Sequence, residues 1–160
     1  MKDTTGANLD FALYMLLTQA AHVMVRVREK ELKQWQLLVP QVQLLQLVHT
    51  LGAKSTPAEI SRWMIRETHT VSGILDRMEK EGLVRRVADP NRKNGVKVVL
   101  TRKGEQARLK ASSARDSISS IWSRLSEKER KQLESSLAKV RQEAFQKLGI
   151  KYIPLSPTTD

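Results

Sequence analysis

Residues 68–101 read THTVSGILDRMEKEGLVRRVADPNRKNGVKVVLT, and the hydrophobic period changes within this stretch. From Thr68 the apolar residues recur every three or four positions as far as Gly82, which predicts a short amphipathic helix. Two runs rich in β-branched residues, 83–88 and 96–100, then flank a cluster of turn-forming residues, which predicts a β-hairpin. The stretch therefore predicts a helix followed directly by a hairpin, and the hairpin tip carries adjacent cations.

The flanking sequence predicts further helices on both sides of this unit. A capping box, Thr-Pro-Ala-Glu at 56–59, opens a helix that is predicted to end near Met64. Upstream, helical stripes of apolar residues predict a long and mostly buried helix over 9–32 and a shorter one over 40–51. Downstream, the apolar residues of 107–148 keep a heptad-like spacing that is interrupted only by a second capping box.

This order of elements predicts a mainly α fold with a small β-hairpin wing, an α+β winged helix-turn-helix. We assign residues 36–104 to the winged helix-turn-helix unit, and 1–35 together with 105–150 to a helical dimerisation region. Residues 151–160 are predicted to form an irregular tail. The apolar stripes of the outer helices are wider than one small domain can cover, and symmetric pairing of two chains would bury the excess. The sequence therefore predicts a homodimer.

The charge balance favours a polyanionic partner. Lys and Arg number 28 against 17 Asp and Glu, which gives a net charge of +11, and the isoelectric point is about 10.2. Residues 54–104 alone hold 12 basic and 6 acidic side chains. The most basic part of the chain thus coincides with the predicted helix-turn-helix and hairpin, and duplex DNA is the partner that this combination indicates.

Several other classes of protein are disfavoured. The chain has no cysteine, which excludes disulfides, thiolate zinc sites and cysteine nucleophiles. No nucleophile elbow, phosphate-binding glycine loop or His-Glu-x-x-His motif occurs, and three histidines without clustered carboxylates predict no metal site. No apolar run approaches the ~20 residues of a membrane span, and no secretory signal is evident. We therefore predict a cytoplasmic protein that is not an enzyme and uses no cofactor.

The predicted DNA contacts follow from the usual docking of this fold, in which the second helix enters the major groove by its N-terminal end. The polar and small residues at that end, with one arginine a turn further on, are Thr68, His69, Thr70, Ser72, Gly73 and Arg77. In the hairpin, backbone or minor-groove contacts are predicted for Arg92, Lys93, Asn94 and Lys97. We expect the helix to supply base preference and the wing to supply affinity.

A known family shares these features. The run TVSGILDRMEKEGLV over 70–84, followed by Asp89-Pro90, by VVLT over 98–101 and by Gly104, resembles the recognition helix and wing of MarR-type transcriptional regulators. The helical layout on both sides resembles that family too. The resemblance implies a homodimer that binds a pseudo-palindromic operator, often as a repressor that is released by a small phenolic or aromatic ligand.

The wing tip departs from the family pattern. MarR-like wings usually carry an Asp and then an Arg near the tip, whereas Arg92 and Asn94 stand at the corresponding positions of this chain. The resemblance therefore does not supply the tip residues of the wing's internal salt bridge or its minor-groove arginine. We expect Arg92 or Lys93 to take over that contact with DNA.

The sequence also offers candidates for an effector pocket on the predicted inner helices. They are Met15, Gln19, His22 and His49, and the tryptophans at 35, 63 and 122 are further apolar candidates. Residues of these types at helical spacing are more often core than ligand contacts. Core packing is therefore the competing interpretation for all of them.

Two other functions fit the same sequence features. A sequence-tolerant architectural protein would bind DNA through the same basic surface, with a specificity ratio near one in place of about 10³ or more. A helical protein-interaction module would instead place the hairpin on an acidic protein. In that case, alanine at Arg92 and Lys93 would weaken the protein complex and leave affinity for DNA unchanged.

Overall fold

The computed structural model describes residues 4–90, 92–114 and 116–151. Within these ranges the helices and strands, in chain order, are α1 (Thr4–Leu32), α2 (Val39–Leu51), α3 (Pro57–Met64), α4 (Thr68–Lys80), β1 (Val84–Ala88), β2 (Val96–Leu100), α5 (Arg102–Ser113), α6 (Asp116–Trp122) and α7 (Glu127–Lys147). None of the helices in the described part of the chain has the length and apolar character that a membrane span needs. Apart from Lys151, the predicted tail lies outside the described residues.

The predicted mainly α fold with a β-hairpin wing is confirmed. The hydroxyl of Thr56 accepts a hydrogen bond from the backbone N–H of Glu59 at 3.2 Å, so α3 begins where the capping box predicts. Ser126 and Glu129 form a reciprocal capping box at the start of α7. These helix starts are local in sequence, which is why they can be predicted without knowledge of the tertiary structure.

One core joins the helix-turn-helix to the wing. Its fully buried side chains come from the end of α1, from α2 to α4 and from the hairpin, and they include Leu32, Leu44, Leu45, Ile60, Val71, Leu75, Met78, Val84 and Val98. Burying a Leu, Ile or Val side chain stabilises the fold by roughly 1.5–3 kcal/mol. Because α3, α4 and the hairpin share these contacts, the recognition helix and the wing form one packed unit.

A buried serine extends the hairpin toward the helix-turn-helix. The strands β1 and β2 are antiparallel, with Arg86 opposite Val98. On the other side of β2, the backbone N–H of Val98 donates to the carbonyl oxygen of Ser55 at 2.8 Å, and the Ser55 hydroxyl donates to the Val98 carbonyl at 2.6 Å. Ser55 therefore acts as a one-residue third strand that ties the hairpin to the start of α3.

The entry to α5 is closely packed against the start of β1. The Thr101 hydroxyl accepts a hydrogen bond from the Gly104 N–H at 3.0 Å and donates to the Gly82 carbonyl at 2.6 Å. Gly104 is buried, and a Cβ at this position would overlap the carbonyl oxygen of Leu83. Only glycine therefore allows the first turn of α5 to approach the wing this closely.

The outer helices differ from expectation in two respects. The heptad-like spacing indicates no break before the capping box at Ser126, whereas the structure ends α5 at Ser113 and begins α6 at Asp116. The predicted burial of the first helix is also wrong within a single chain. Large apolar side chains of α1 are 55–64% exposed, and they are Leu9, Phe11, Leu13, Tyr14 and Leu16. A face of this size and apolarity is typical of a surface that another protein chain covers.

Candidate nucleic-acid interface

The N-terminal end of α4 is open to solvent. Thr68, His69 and Gly73 are exposed, and Thr70 and Ser72 are half-buried at the edge of the helix. Their apolar neighbour Val71 points into the core. One face of α4 is thus fixed by packing, which leaves the polar residues of the opposite side free to meet base edges in a major groove.

Arg77 lies one turn beyond these residues and is exposed on the same helix. The sequence places this residue either on a phosphate or against the hairpin. In the structure, the contact between α4 and the hairpin is made by Arg86 of β1, and the Arg77 side chain is exposed to solvent. The structure thus gives no support to the hairpin alternative, and the phosphate contact of Arg77 stays a prediction.

The wing tip presents three exposed polar side chains, Arg92, Lys93 and Asn94. The backbone of Asn94 lies in the left-handed region, with φ at 59°, a conformation that asparagine tolerates better than most residues. The next residue, Gly95, donates to the Arg92 carbonyl at 2.8 Å. A Cβ at Gly95 would come within 2.9 Å of the Arg92 Cβ. The tight turn therefore holds the two cations at the outermost point of the hairpin.

Lys97 does not belong to this exposed group, and the structure corrects the prediction of a DNA contact for it. Its side chain is buried, and the ammonium nitrogen lies 3.2 Å from a carboxylate oxygen of Asp89. The pair joins the two ends of the hairpin loop. An internal salt bridge in the wing is thus retained, although the residues that form it are not those at the tip where the family pattern places them.

Arg86 connects the wing to the recognition helix. Its guanidinium lies 2.6 Å from a carboxylate oxygen of Asp76 and 2.7 Å from one of Glu79, both on α4. It also donates to the carbonyl oxygen of Ser72 at 3.4 Å. The backbone N–H of Arg86 adds a 2.8 Å hydrogen bond to the second oxygen of Glu79. We call these contacts the Arg86 clamp.

The electrostatics of the clamp follow from this geometry. Hydrogen bonds from the backbone and the guanidinium of Arg86, together with its charge, hold the pKa of Glu79 below the ordinary value. Burial opposes the charged form of Arg86, but the carboxylates of Asp76 and Glu79 outweigh it and raise the pKa of the guanidinium. Both partners therefore remain charged at neutral pH, and the wing stays docked on α4.

We expect acid to weaken this docking. A carboxyl whose pKa is lower in the folded chain than in the unfolded chain stabilises the fold above its unfolded value and loses that contribution as the pH falls. For Glu79 the loss begins near the ordinary value of 4.5. Urea unfolding at about pH 7 and about pH 4 should therefore show a smaller pH dependence for Glu79→Gln than for the wild type. Glu143→Gln, an exposed change on α7, is the control, and an unchanged pH dependence in Glu79→Gln would contradict the clamp.

A cleft of about 510 Å³ lies between the helical region and the helix-turn-helix. Its apolar wall comes from four helices and includes Leu32, Val42, Leu47, Trp63, Met64 and Ile118. The amides of Gln43 and Gln46 and the side chain of Arg28 supply the polar part of the lining. A mostly apolar concavity with a few polar groups is the usual form of a small-molecule site.

The residues predicted for an effector pocket do not line this cleft. Met15, Gln19 and His22 lie on the outward part of α1, with His22 and Gln19 exposed. His49 is exposed at the end of α2, where its Nδ1 lies 3.7 Å from a carboxylate oxygen of Glu105. Within one chain the structure therefore does not bring the four residues together. Of the tryptophans, Trp63 lines the cleft.

The functional residues that the sequence does not reveal are those that act across long distances along the chain. Sequence alone gives Arg86 no role beyond additional charge, although Asp76 and Glu79, three residues apart on α4, form an acidic pair that a nearby cation can bridge. No group of three metal-binding side chains occurs among the residues that the structure describes. The site is thus a basic, two-part surface with an apolar cleft behind it.

Comparison with known proteins agrees with this geometry. The MarR family model matches residues 37–93, which span the helix-turn-helix and most of the wing. No curated protein shows a significant sequence match to the chain. Among solved structures, the organohalide-sensing RdhR-CbdbA1625 transcriptional regulator, crystallised with 2,4-dichlorophenol, is 27% identical with a TM-score of 0.82, and the match covers 95% of this chain and 90% of that one.

Two further structures share the fold. A point mutant of MarR from E. coli, complexed with operator DNA, is 25% identical with a TM-score of 0.76, over 83% of this chain and 96% of that one. A MarR family protein from Bacillus stearothermophilus is 28% identical with a TM-score of 0.66, over 90% and 98%. The family model covers the helix-turn-helix and most of the wing, and the structural similarity extends to the outer helices, so the chain is similar to MarR family transcriptional regulators along most of its length.

Proposed function

We propose that this protein is a homodimeric regulator that binds a pseudo-palindromic DNA operator and represses nearby genes until a small effector releases it. The observation that carries the proposal is the Arg86 clamp. It joins the exposed end of α4 to the hairpin, so that a base-reading helix and a basic wing move as one body. The proposal assigns the protein no catalytic activity, and it places the protein in the cytoplasm.

The proposed roles of the regions follow the sequence boundaries. Residues 36–104 would contact DNA, and 1–35 with 105–150 would form the dimer. Support for the second assignment comes from the exposed apolar side chains of α1 and from an apolar depression between α6 and α7 that includes Trp122, Leu133 and Leu137. A second copy of the chain would remove both surfaces from water, which is the main favourable contribution in protein association.

The proposed DNA contacts are the polar residues at the start of α4, with Arg77, Arg92, Lys93 and Asn94. The related MarR from E. coli has been crystallised with operator DNA, which supports the same use of the fold here. Lys97 is left out because its charge is neutralised inside the wing. A dimer presents two such surfaces, and its two-fold symmetry requires half-sites that are related by the same symmetry.

The experiment that tests the proposal is fluorescence anisotropy on duplexes tiled across the DNA that flanks the gene, with a shuffled duplex as control, at two salt concentrations. We expect saturable binding to one tile at an affinity about 10³-fold or more above the shuffled duplex. Equal and steeply salt-dependent binding to every duplex would instead support an architectural DNA-binding protein. No binding to any duplex would favour the protein-interaction alternative and contradict the proposal.

The two parts of the surface should respond differently to substitution. Alanine at both Arg92 and Lys93 is expected to weaken binding by a similar factor on all duplexes and to make the salt dependence shallower by about one to two units, because two phosphate contacts are lost. Alanine at Thr70 or Ser72 should instead alter base preference while the salt dependence is retained. Competition between the preferred tile and single-base variants of it measures both effects. An unchanged preference in both helix variants would contradict the placement of the recognition helix.

The effector site that we propose is the cleft. It borders α3, the first helix of the helix-turn-helix, through Trp63 and Met64, and it borders α6 through Ile118. A ligand there touches both the DNA-reading unit and the dimerisation region, and it shifts the equilibrium by as much as its affinities for the two arrangements differ. The RdhR-CbdbA1625 relative binds 2,4-dichlorophenol, which supports a phenolic class of effector for an apolar cleft with amide side chains.

We expect 2,4-dichlorophenol to quench Trp63 fluorescence and to release bound DNA. Val42→Phe fills part of the cleft and should raise the half-effective concentration about tenfold, which corresponds to ~1.4 kcal/mol of binding free energy. The matched controls are Met15→Ala and Gln19→Ala, which lie away from the cleft on α1 and should leave that concentration unchanged. Equal effects in the controls and in Val42→Phe would show that the ligand binds elsewhere. Absence of both quenching and release would contradict a phenolic effector.

A further inference from the structure

The junction between α5 and α6 is held from outside by the last turns of α1. The guanidinium of Arg28 donates to the carbonyl oxygens of Ala111 and Ala114, which lie 83 and 86 residues away in the chain. Carbonyls at the end of a helix have no partner within the helix and need one from elsewhere. Arg28 therefore supplies the C-terminal cap of α5, and its side chain is only 12% exposed in doing so.

The carboxylate of Glu31, one turn further along α1, caps the N-terminal end of α6. One oxygen of Glu31 accepts a hydrogen bond from the backbone N–H of Ser117 at 2.9 Å, at the start of α6. The other oxygen lies 2.8 Å from Arg28. Backbone N–H groups in the first turn of a helix lack partners and favour a negative charge. Two residues of α1, three positions apart, thus cap the end of one helix and the beginning of the next.

The two caps explain a break that the heptad-like spacing does not indicate. Burial works to raise the pKa of Glu31, but hydrogen bonds from Arg28 and Ser117 and the charge of Arg28 outweigh it and hold that pKa below the ordinary value. The carboxylate is therefore charged at neutral pH, as the cap of α6 requires. A continuous helix through this region would satisfy the same backbone groups internally and leave both α1 side chains without these partners.

We infer that the Arg28–Glu31 pair is a positioning element that sets the angle between α5 and α6, and thereby the distance between the two recognition helices of the dimer. The inference rests on the proposed homodimer. In this arrangement α5 packs against α2 and β2 of the DNA-reading unit, whereas α6 packs against α1. A change of angle at the junction therefore moves one unit relative to the other. Arg28 and Ile118, the residue after Ser117, also line the cleft, so the same junction forms part of the proposed effector site.

The test measures the distance directly and needs neither the operator nor the effector. Because the chain has no cysteine, Lys80→Cys, an exposed site at the end of α4, gives a single spin label on each chain. Double electron–electron resonance on the full-length protein then reports the separation of the two labels. The variants are Arg28→Lys, which keeps the charge but lacks the planar fork whose two nitrogens reach the separate carbonyls, and Glu31→Gln. Arg26→Lys, an exposed change on the same helix, is the matched control.

The labelled Lys80→Cys protein without any further change should give one narrow distance distribution, and so should the same protein with the control substitution Arg26→Lys. Arg28→Lys is expected to give a broadened or shifted distribution while its thermal unfolding remains cooperative, and Glu31→Gln is expected to give a smaller change in the same direction. A distribution in Arg28→Lys that superimposes on the wild type would overturn the inference. Loss of cooperative unfolding in both variants would overturn it too, because the pair would then be needed for the fold as a whole. Absence of any dipolar signal in the wild type would instead show that the homodimer itself is not formed.

Discussion

Gly104→Ala is expected to lower the free energy of unfolding by about 3 kcal/mol, which is among the larger effects that a single methyl group can have. The added Cβ would overlap the carbonyl oxygen of Leu83 and lie 2.9 Å from its carbonyl carbon. Both obstacles are backbone atoms at the start of the wing, so neither a rotamer change nor a small side-chain shift relieves the overlap. The first turn of α5 must instead move away from Leu83.

Urea unfolding measures this loss, and thermal unfolding at matched protein concentration should show a decrease in Tm of roughly 6–12 °C. Gly73→Ala is the matched control, because Gly73 also lies inside a helix and a Cβ there would have no atom within 4 Å. Replacing an unobstructed helical glycine with alanine should stabilise the protein by about 0.5–1 kcal/mol. The two substitutions are thus expected to have opposite signs, and a similar destabilisation by both would contradict the close approach at Gly104.

Arg86→Ala is expected to reduce operator affinity about tenfold or more and to lower the free energy of unfolding by about 1–2 kcal/mol. The substitution leaves Asp76 and Glu79 side by side without their common cation and removes the donor to the Ser72 carbonyl. The stability effect is moderated because the Asp76 side chain is more than half exposed. The effect on DNA affinity is larger, because the helix and the wing contribute their full binding free energy only when they are held in one relative geometry.

Arg85→Ala separates loss of the clamp from loss of charge. Arg85 is the preceding residue of β1, is exposed, and carries the same formal charge. Anisotropy on the preferred duplex should show a small decrease in affinity for Arg85→Ala, as expected for one general electrostatic contribution. If both variants lose affinity equally at every salt concentration, Arg86 acts only through its charge. A loss confined to Arg86→Ala is expected to persist at high salt, where screening weakens general electrostatics.

The elements of this fold that could be predicted are those whose signals are local. Thr56 and Ser126 cap the helices that follow them within three residues, and the turn chemistry around Gly95 marks the hairpin. The exposed polar end of α4 follows from the same helical periodicity that places Val71 in the core. In each case the sequence pattern and the structural feature span a few adjacent residues, so no tertiary information is needed.

The features that could not be predicted depend on pairs of residues that are distant in sequence or on a second chain. The break between α5 and α6 depends on Arg28, more than 80 residues upstream. The sequence indicates that Lys97 is an exposed cation, whereas the hairpin loop places its ammonium group beside the carboxylate of Asp89. The apolar stripe around Met15 has the pattern of a core face with a pocket. Within one chain that stripe faces solvent, and only the other end of the same helix contributes to the lining of the cleft.

The way the two sides of the hairpin are closed has a consequence for self-association. Unpaired N–H and C=O groups along an edge strand recruit strands from other molecules and favour aggregation. Here Ser55 exchanges hydrogen bonds with the backbone of Val98 on the free edge of β2. On the free edge of β1, the carboxylate of Glu79 accepts a hydrogen bond from the backbone N–H of Arg86. These contacts occupy Val98 on one edge of the hairpin and Arg86 on the other, which hinders edge-to-edge pairing with another wing. If the proposed dimers bind closely spaced sites, this closure disfavours the merging of their hairpins into a shared sheet.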